Sequence, residues 1–166
     1  ADSYKKAVDL APQNTNYRAT YGLILGMAGD LDAGLAELQK VTATPGYKDA
    51  AGWVNLGWIY RNTNKAPESI AAYQKVVDVA PDHTAARNNL AQQLLDQRRY
   101  PEALVHLEEL RRRGMTFPGS YMSLAQAYVA TGQPDEAREA LAGYAAEHPD
   151  RAASFENLAY FELAQG

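Results

Sequence analysis

One spacing constrains this chain more than any other property. Leu56, Leu90, Leu124 and Leu158 stand 34 residues apart, each inside a copy of the same short run. The run reads Trp53-Val54-Asn55-Leu56-Gly57-Trp58-Ile59-Tyr60, then Arg87-Asn88-Asn89-Leu90-Ala91-Gln92-Gln93-Leu94. It continues as Tyr121-Met122-Ser123-Leu124-Ala125-Gln126-Ala127-Tyr128 and as Phe155-Glu156-Asn157-Leu158-Ala159-Tyr160. A fixed period of this length marks a repeat array, in which a unit buries its apolar face against its neighbours.

Apolar residues recur at helical spacing within each period, and no stretch alternates apolar and polar in the way of a half-buried strand. The expected elements are ten helices. A lone second helix covers 2–10. Four pairs follow: 15–27 with 31–41, 49–62 with 67–79, 84–97 with 101–113, and 119–131 with 134–147. A last first helix covers 151–164. Pro67, Pro101 and Pro134 suit the first turn of a helix, where the missing N–H is not needed. Pro12, Pro81 and Pro149 fall just after helices and end them. Gly29, Gly114 and Gly132 are placed to turn the chain between helices.

The residues resemble the tetratricopeptide repeat, whose pattern is W-x₂-L-G-x₂-Y, then A-x₃-F, then P. Trp53, Leu56, Gly57 and Tyr60 match its first part, Ser69 and Tyr73 stand at the A and F positions, and Pro81 closes the unit. A divergent earlier copy holds Tyr21-Gly22, Leu25, Gly29-Asp30, Gly34 and Leu38, with one extra residue near Pro45-Gly46-Tyr47. A later copy holds Leu124, Ala125, Tyr128, Gly132, Ala137 and Leu141 and ends at Pro149. The resemblance spans the whole chain. It implies an all-α, right-handed superhelical solenoid of antiparallel helix pairs. The expected organisation is one array over 1–166: a half repeat at 1–12, repeats at 15–48, 50–83, 84–117 and 118–151, and a half repeat at 152–166. Solenoids end in polar capping helices. Phe155, Leu158, Phe161 and Leu163 would leave apolar surface exposed instead. The expectation is therefore a fragment of a longer array, or ends that dock onto something.

Leu56, Tyr60, Leu90, Leu94, Leu107, Leu124, Tyr128 and Leu141 are the expected core. The resemblance implies that the first helix of each pair lines a concave face. Ala51, Asn55, Trp58 and Asn62 share a helix face distinct from that of Leu56, Gly57 and Tyr60. The same positions give Ala85, Asn89, Gln92 and Asp96, then Gly119, Ser123, Gln126 and Ala130, then Ala153, Asn157, Tyr160 and Ala164. The divergent first repeat gives Asn16, Thr20, Leu23 and Met27. Small residues begin most of these faces and leave room for a ligand backbone. An asparagine amide both donates and accepts, so Asn55, Asn89 and Asn157, with Ser123 between, can pair with successive peptide groups. The row resembles the asparagine ladder of the O-linked N-acetylglucosamine transferase family. The same amides can instead bond the neighbouring helix. Trp58 and Tyr160 are the expected apolar anchors, and Arg61, Asp96 and Glu156 add charge of both signs. A chaperone-type carboxylate clamp needs paired basic residues on this face; Ala85 and Asn89 stand there instead, which argues against one.

Chemistry has little foothold. His83, His106 and His148 lie far apart in the register, and no H-E-x-x-H, G-x-S-x-G or phosphate loop occurs. No cofactor or metal is expected. Glu108-Glu109 and Asp135-Glu136 read as solvated faces, and Arg111-Arg112-Arg113 as cations suited to a helix C-terminus. A net charge of −4 lacks the basic stripe that phosphate neutralisation needs, so nucleic acid is not an expected partner. No apolar run reaches membrane-spanning length. The absence of cysteine excludes disulfides and thiolate metal sites without fixing a compartment.

The expected function is a non-enzymatic scaffold that takes a protein or peptide partner in its groove. Two other readings stay open. One is a substrate-recruitment domain of a larger enzyme, as in glycosyltransferases. The other is a module of a bacterial secretion or pilus system that associates end to end through uncapped helices. The Ala-, Arg- and Pro-rich style suggests a bacterial source.

Overall fold

The computed structural model describes residues 2–115 and 118–150, together with 156 and 159. The described residues form helices without a strand: α1 (Asp2–Leu10), α2 (Thr15–Met27), α3 (Leu31–Thr42), α4 (Ala50–Asn62), α5 (Ala66–Val79), α6 (Thr84–Asp96), α7 (Tyr100–Arg112), α8 (Pro118–Ala130) and α9 (Pro134–Glu147). Each starts and stops within a residue of its sequence-derived span. The tenth expected helix lies outside the described residues.

Local chemistry sets these ends. The Asn14 carboxamide oxygen accepts from the N–H groups of Asn16 and Tyr17 at 3.0 and 3.1 Å. Asp30 accepts from the Ala33 N–H at 3.1 Å and Asp49 from that of Ala51 at 2.8 Å. Each bond satisfies a donor that the first helical turn leaves orphaned. His83 does the same for α6, its Nδ1 accepting from the Ala86 N–H at 3.2 Å. The extra residue before α4 also has a role. It lets Tyr47 fold back so that its hydroxyl accepts from the Gly52 N–H at 2.9 Å.

The turn inside each pair is closed by one left-handed residue. That position holds Gly29, Asn64, Arg98 and Gly132, with φ of 95°, 57°, 57° and 78°. The next residue then bonds back to a carbonyl five positions earlier, as Lys65 does to Tyr60 and Arg99 to Leu94. Arg98 is thus an L-residue in a conformation that costs about 1–2 kcal/mol. Glycine adopts it freely but loses about 0.5–1 kcal/mol more backbone entropy on folding. Arg98→Gly is expected to stabilise the protein by about 0.5–1 kcal/mol, read as a higher urea midpoint at unchanged slope. No gain would mean that the Arg98 side chain holds the turn by another route.

The chain divides into two compact units, Ala1–Ala86 and Arg87–Gly166, with the boundary inside α6. In the first, α2 packs on α3 and α4 on α5, while α4 also packs on α2 and α3. Its core gathers Ala19, Leu35, Leu38, Val41, Leu56, Ile59 and Ala72. Two close approaches define it. Gly57 lies flat against the ring of buried Tyr73, and Gly34 meets the backbone of α2 at Gly22 and Gly26. Ser69, fully buried, donates its hydroxyl to the Gly57 carbonyl at 3.0 Å. In the second unit α8 packs on both α7 and α9. Leu90, Leu94, Leu107, Leu124, Tyr128 and Leu141 are buried there. Tyr60 departs from expectation: it is half-buried at the edge of the first core, and its hydroxyl accepts from the Gln39 amide at 3.2 Å.

Candidate functional site

The expected binding face divides between the two units. In the first it is carried by α2 and α4. Ala51, Arg61, Asn62, Asn16 and Met27 are exposed, and Thr20, Leu23, Asn55 and Trp58 are half-buried. Trp58 packs on the core cluster with its ring edge close to Gly26, so α2 supports it from one side. Asn55 donates its amide to the Ala19 carbonyl of α2 at 3.4 Å. Asn62 donates to the Trp58 carbonyl at 2.7 Å, one turn back in its own helix. The asparagine donors here point to protein groups, while their carboxamide oxygens still offer acceptor capacity.

In the second unit the face is carried by α6 and α8. Asn89 and Gln92 are half-buried, Asp96 and Gln126 are exposed, and Ser123 is buried. Gln92 donates to the Ser123 hydroxyl at 2.6 Å, which ties α6 to α8 across this face. A second polar link is the 3.4 Å contact between the Ser120 hydroxyl and the Asn88 carboxamide oxygen. Ser123 therefore joins the helix interface, a role its small size at a groove position did not suggest. Glu156 is exposed, whereas Asn157 and Tyr160 lie outside the described residues.

The charged clusters are consumed locally. Glu109 accepts from both Arg112 and Arg113, and these bonds hold its carboxyl at about 2. Two of the three arginines at the end of α7 are thus engaged by a carboxylate of their own helix. Glu108 accepts from the Tyr128 hydroxyl at 2.9 Å, and burial together with that carboxylate pushes the phenol up to about 12. The two adjacent carboxylates thus serve different partners and do not converge on a reacting group. Burial, and then the Arg87 guanidinium, hold the His106 imidazole below its ordinary value against the opposing effect of Glu102. Among the described residues, no three His, Cys, Asp or Glu side chains are grouped to hold a metal. Nor does any described helix have the length and apolarity to cross a membrane.

Comparisons with known proteins place the repeat in a family. Models of the tetratricopeptide repeat match residues 20–81, 54–116 and 94–159. No curated protein matches in sequence. Solved structures share the fold at low identity. YrrB, described as a TPR protein with an unusual peptide-binding site, superposes with a TM-score of 0.81 at 16% identity, covering 98% of this chain and 83% of its own. MamA gives 0.78 at 19%, with 91% and 82% covered. PilF of Pseudomonas aeruginosa gives 0.75 at 16%, with 96% and 72% covered. With the period, the glycine-against-tyrosine packing and three overlapping family matches in agreement, the chain belongs to the tetratricopeptide-repeat family.

Proposed function

We propose that this chain is a non-catalytic scaffold that holds an extended protein segment against the face of its first helices. Tetratricopeptide repeats are in general non-catalytic protein-interaction modules, which supports the class. The observation that carries the site is Trp58. Its ring is seated against α2 at Gly26 and only half-buried, on the same helix face as exposed Ala51 and Asn62. An aromatic held rigidly on one side and open on the other loses little entropy when a partner covers it. In the first unit the acceptor side of Asn55 would meet a backbone N–H of the segment, with Arg61 on the polar rim; in the second, Asn89 would do the same for its own stretch, with Asp96 and Gln126 on the rim. Recruitment of substrates to an enzyme would be a particular use of the same face, whereas end-to-end association of copies would not use it.

The test selects binding peptides by phage display on the purified chain and measures their affinity by titration. Trp58→Ala is expected to weaken binding by about 2 kcal/mol, roughly thirtyfold. The triple variant Asn55→Ala, Asn89→Ala, Asn157→Ala should lose about 0.5–1.5 kcal/mol for each bond made. Unchanged affinity in both, with melting curves intact, would place the site on another surface.

A further inference from the structure

A second concave surface lies away from Trp58, between α3 and α5. The two second helices there stand apart over α4, leaving an open recess of about 510 Å³. Its floor is Trp53, Leu56 and Tyr60 of α4, one helical stripe at i, i+3 and i+7. The α3 wall is Gln39, Thr42 and Ala43. The α5 wall runs from Glu68 through Ala71 and Ala72 to Lys75. These four lie on one face of α5, so the recess has an acidic end, a small apolar middle and a basic end. Seven residues of helix put those ends about 10 Å apart.

The same location two periods later is also hollow, at about 610 Å³ between α7 and α9, but its chemistry differs. Tyr121 takes the place of Trp53 and is covered by Tyr144, with ring centroids 4.3 Å apart. Glu139 takes the place of Ala71, and Arg111 that of Thr42. There the aromatic floor is occupied by the protein's own ring and the walls are charged. In the first unit Trp53 and Tyr60 of the floor are half-buried, and the middle of the α5 wall is alanine. The open apolar recess is therefore a property of these residues and does not follow from the repeat itself.

We propose that this recess is a second peptide-binding site, which takes an extended segment with one large apolar side chain between a basic and an acidic residue. The volume suits a bulky side chain with its neighbours. Charge complementarity selects the flanks: the basic one meets Glu68 and the acidic one Lys75. In an extended chain, residues two apart point the same way at about 3.3 Å per residue. A Lys-Ser-Phe-Ser-Glu core thus presents all three side chains to one surface and spans about 13 Å, within reach of both rim charges.

The chain has two tryptophans, so Trp58→Phe makes Trp53 the sole indole reporter. Capped peptides with the core Lys-Ser-Phe-Ser-Glu, its charge-reversed order, and its doubly basic and doubly acidic analogues are titrated against this variant. The two dipolar peptides should shift Trp53 emission saturably and bind about three- to fivefold tighter than either like-charged analogue, as expected for exposed ion pairs. Ala71→Glu, which installs the residue of the other recess, should abolish the shift. Lys75→Glu leaves two acids on the rim and should make the doubly basic peptide the tightest. The proposal is overturned if no peptide perturbs Trp53 at millimolar concentration. It is equally overturned if Ala71→Glu binds as well as its parent, or if only an apolar small molecule such as an anilinonaphthalene dye responds. The circular dichroism and melting curve of each variant are recorded alongside. Should Ala71→Glu fail to fold, the Lys75→Glu preference decides.

Discussion

Replacing Leu90 by alanine is expected to remove about 2–5 kcal/mol of stability. Leu90 is fully buried, and it occupies the repeat position whose 34-residue spacing organises the chain. The loss has two parts, the transfer energy of the deleted methyl groups and the cavity that the surrounding helices cannot fill. Equilibrium urea unfolding checks it. A midpoint unchanged from that of the parent would mean that the repeat register is misassigned. Two-state analysis suits small single domains, and the chain has two compact units. Far-ultraviolet dichroism and tyrosine fluorescence should therefore be followed together, so that separate unfolding of the two units would be seen.

Gly34→Leu is expected to be at least as damaging, at about 3 kcal/mol or more, and Gly34→Ala should fall between it and the parent. A Cβ at Gly34 would sit 2.6 Å from the Gly22 carbonyl oxygen and 3.0 Å from the Gly26 nitrogen. Those atoms are backbone of α2, so relief requires the helices to move apart. Elsewhere the sign reverses. Gly143 in α9 has nothing within 4 Å of its would-be Cβ and is exposed. Gly143→Ala should therefore stabilise by about 0.8–1 kcal/mol, the ordinary helix-propensity gain. Thermal or urea melts of the three variants check the ordering. A stabilised Gly34→Ala would show that α2 and α3 do not approach as closely as described.

The sequence alone determined the features that depend on neighbours along the chain. Helix spans follow from apolar spacing and from Asn14, Asp30 and Asp49 at the caps, all within a few residues of what they control. The buried leucines at 56, 90 and 124 follow from the period, because every unit must present the same apolar face to the next. Even the left-handed turn was legible at Gly29 and Gly132, although not at Arg98, where the repeat geometry overrides the preference of the residue. What only the tertiary structure decided depends on two helices meeting. Ser123 lies buried where Gln92 of α6 reaches it, and Tyr60 stays half-exposed, met by the Gln39 amide of α3 at its hydroxyl. Asn55 turns its donor to the Ala19 carbonyl of α2, a contact between helices that spacing within α4 could not place. The recess over Trp53 lies where Ala71 and Ala72 of α5 face Gln39, Thr42 and Ala43 across α4. Periodicity fixes which face of a helix is turned inward, whereas side-chain volume on the facing helix decides whether that face is sealed or left open.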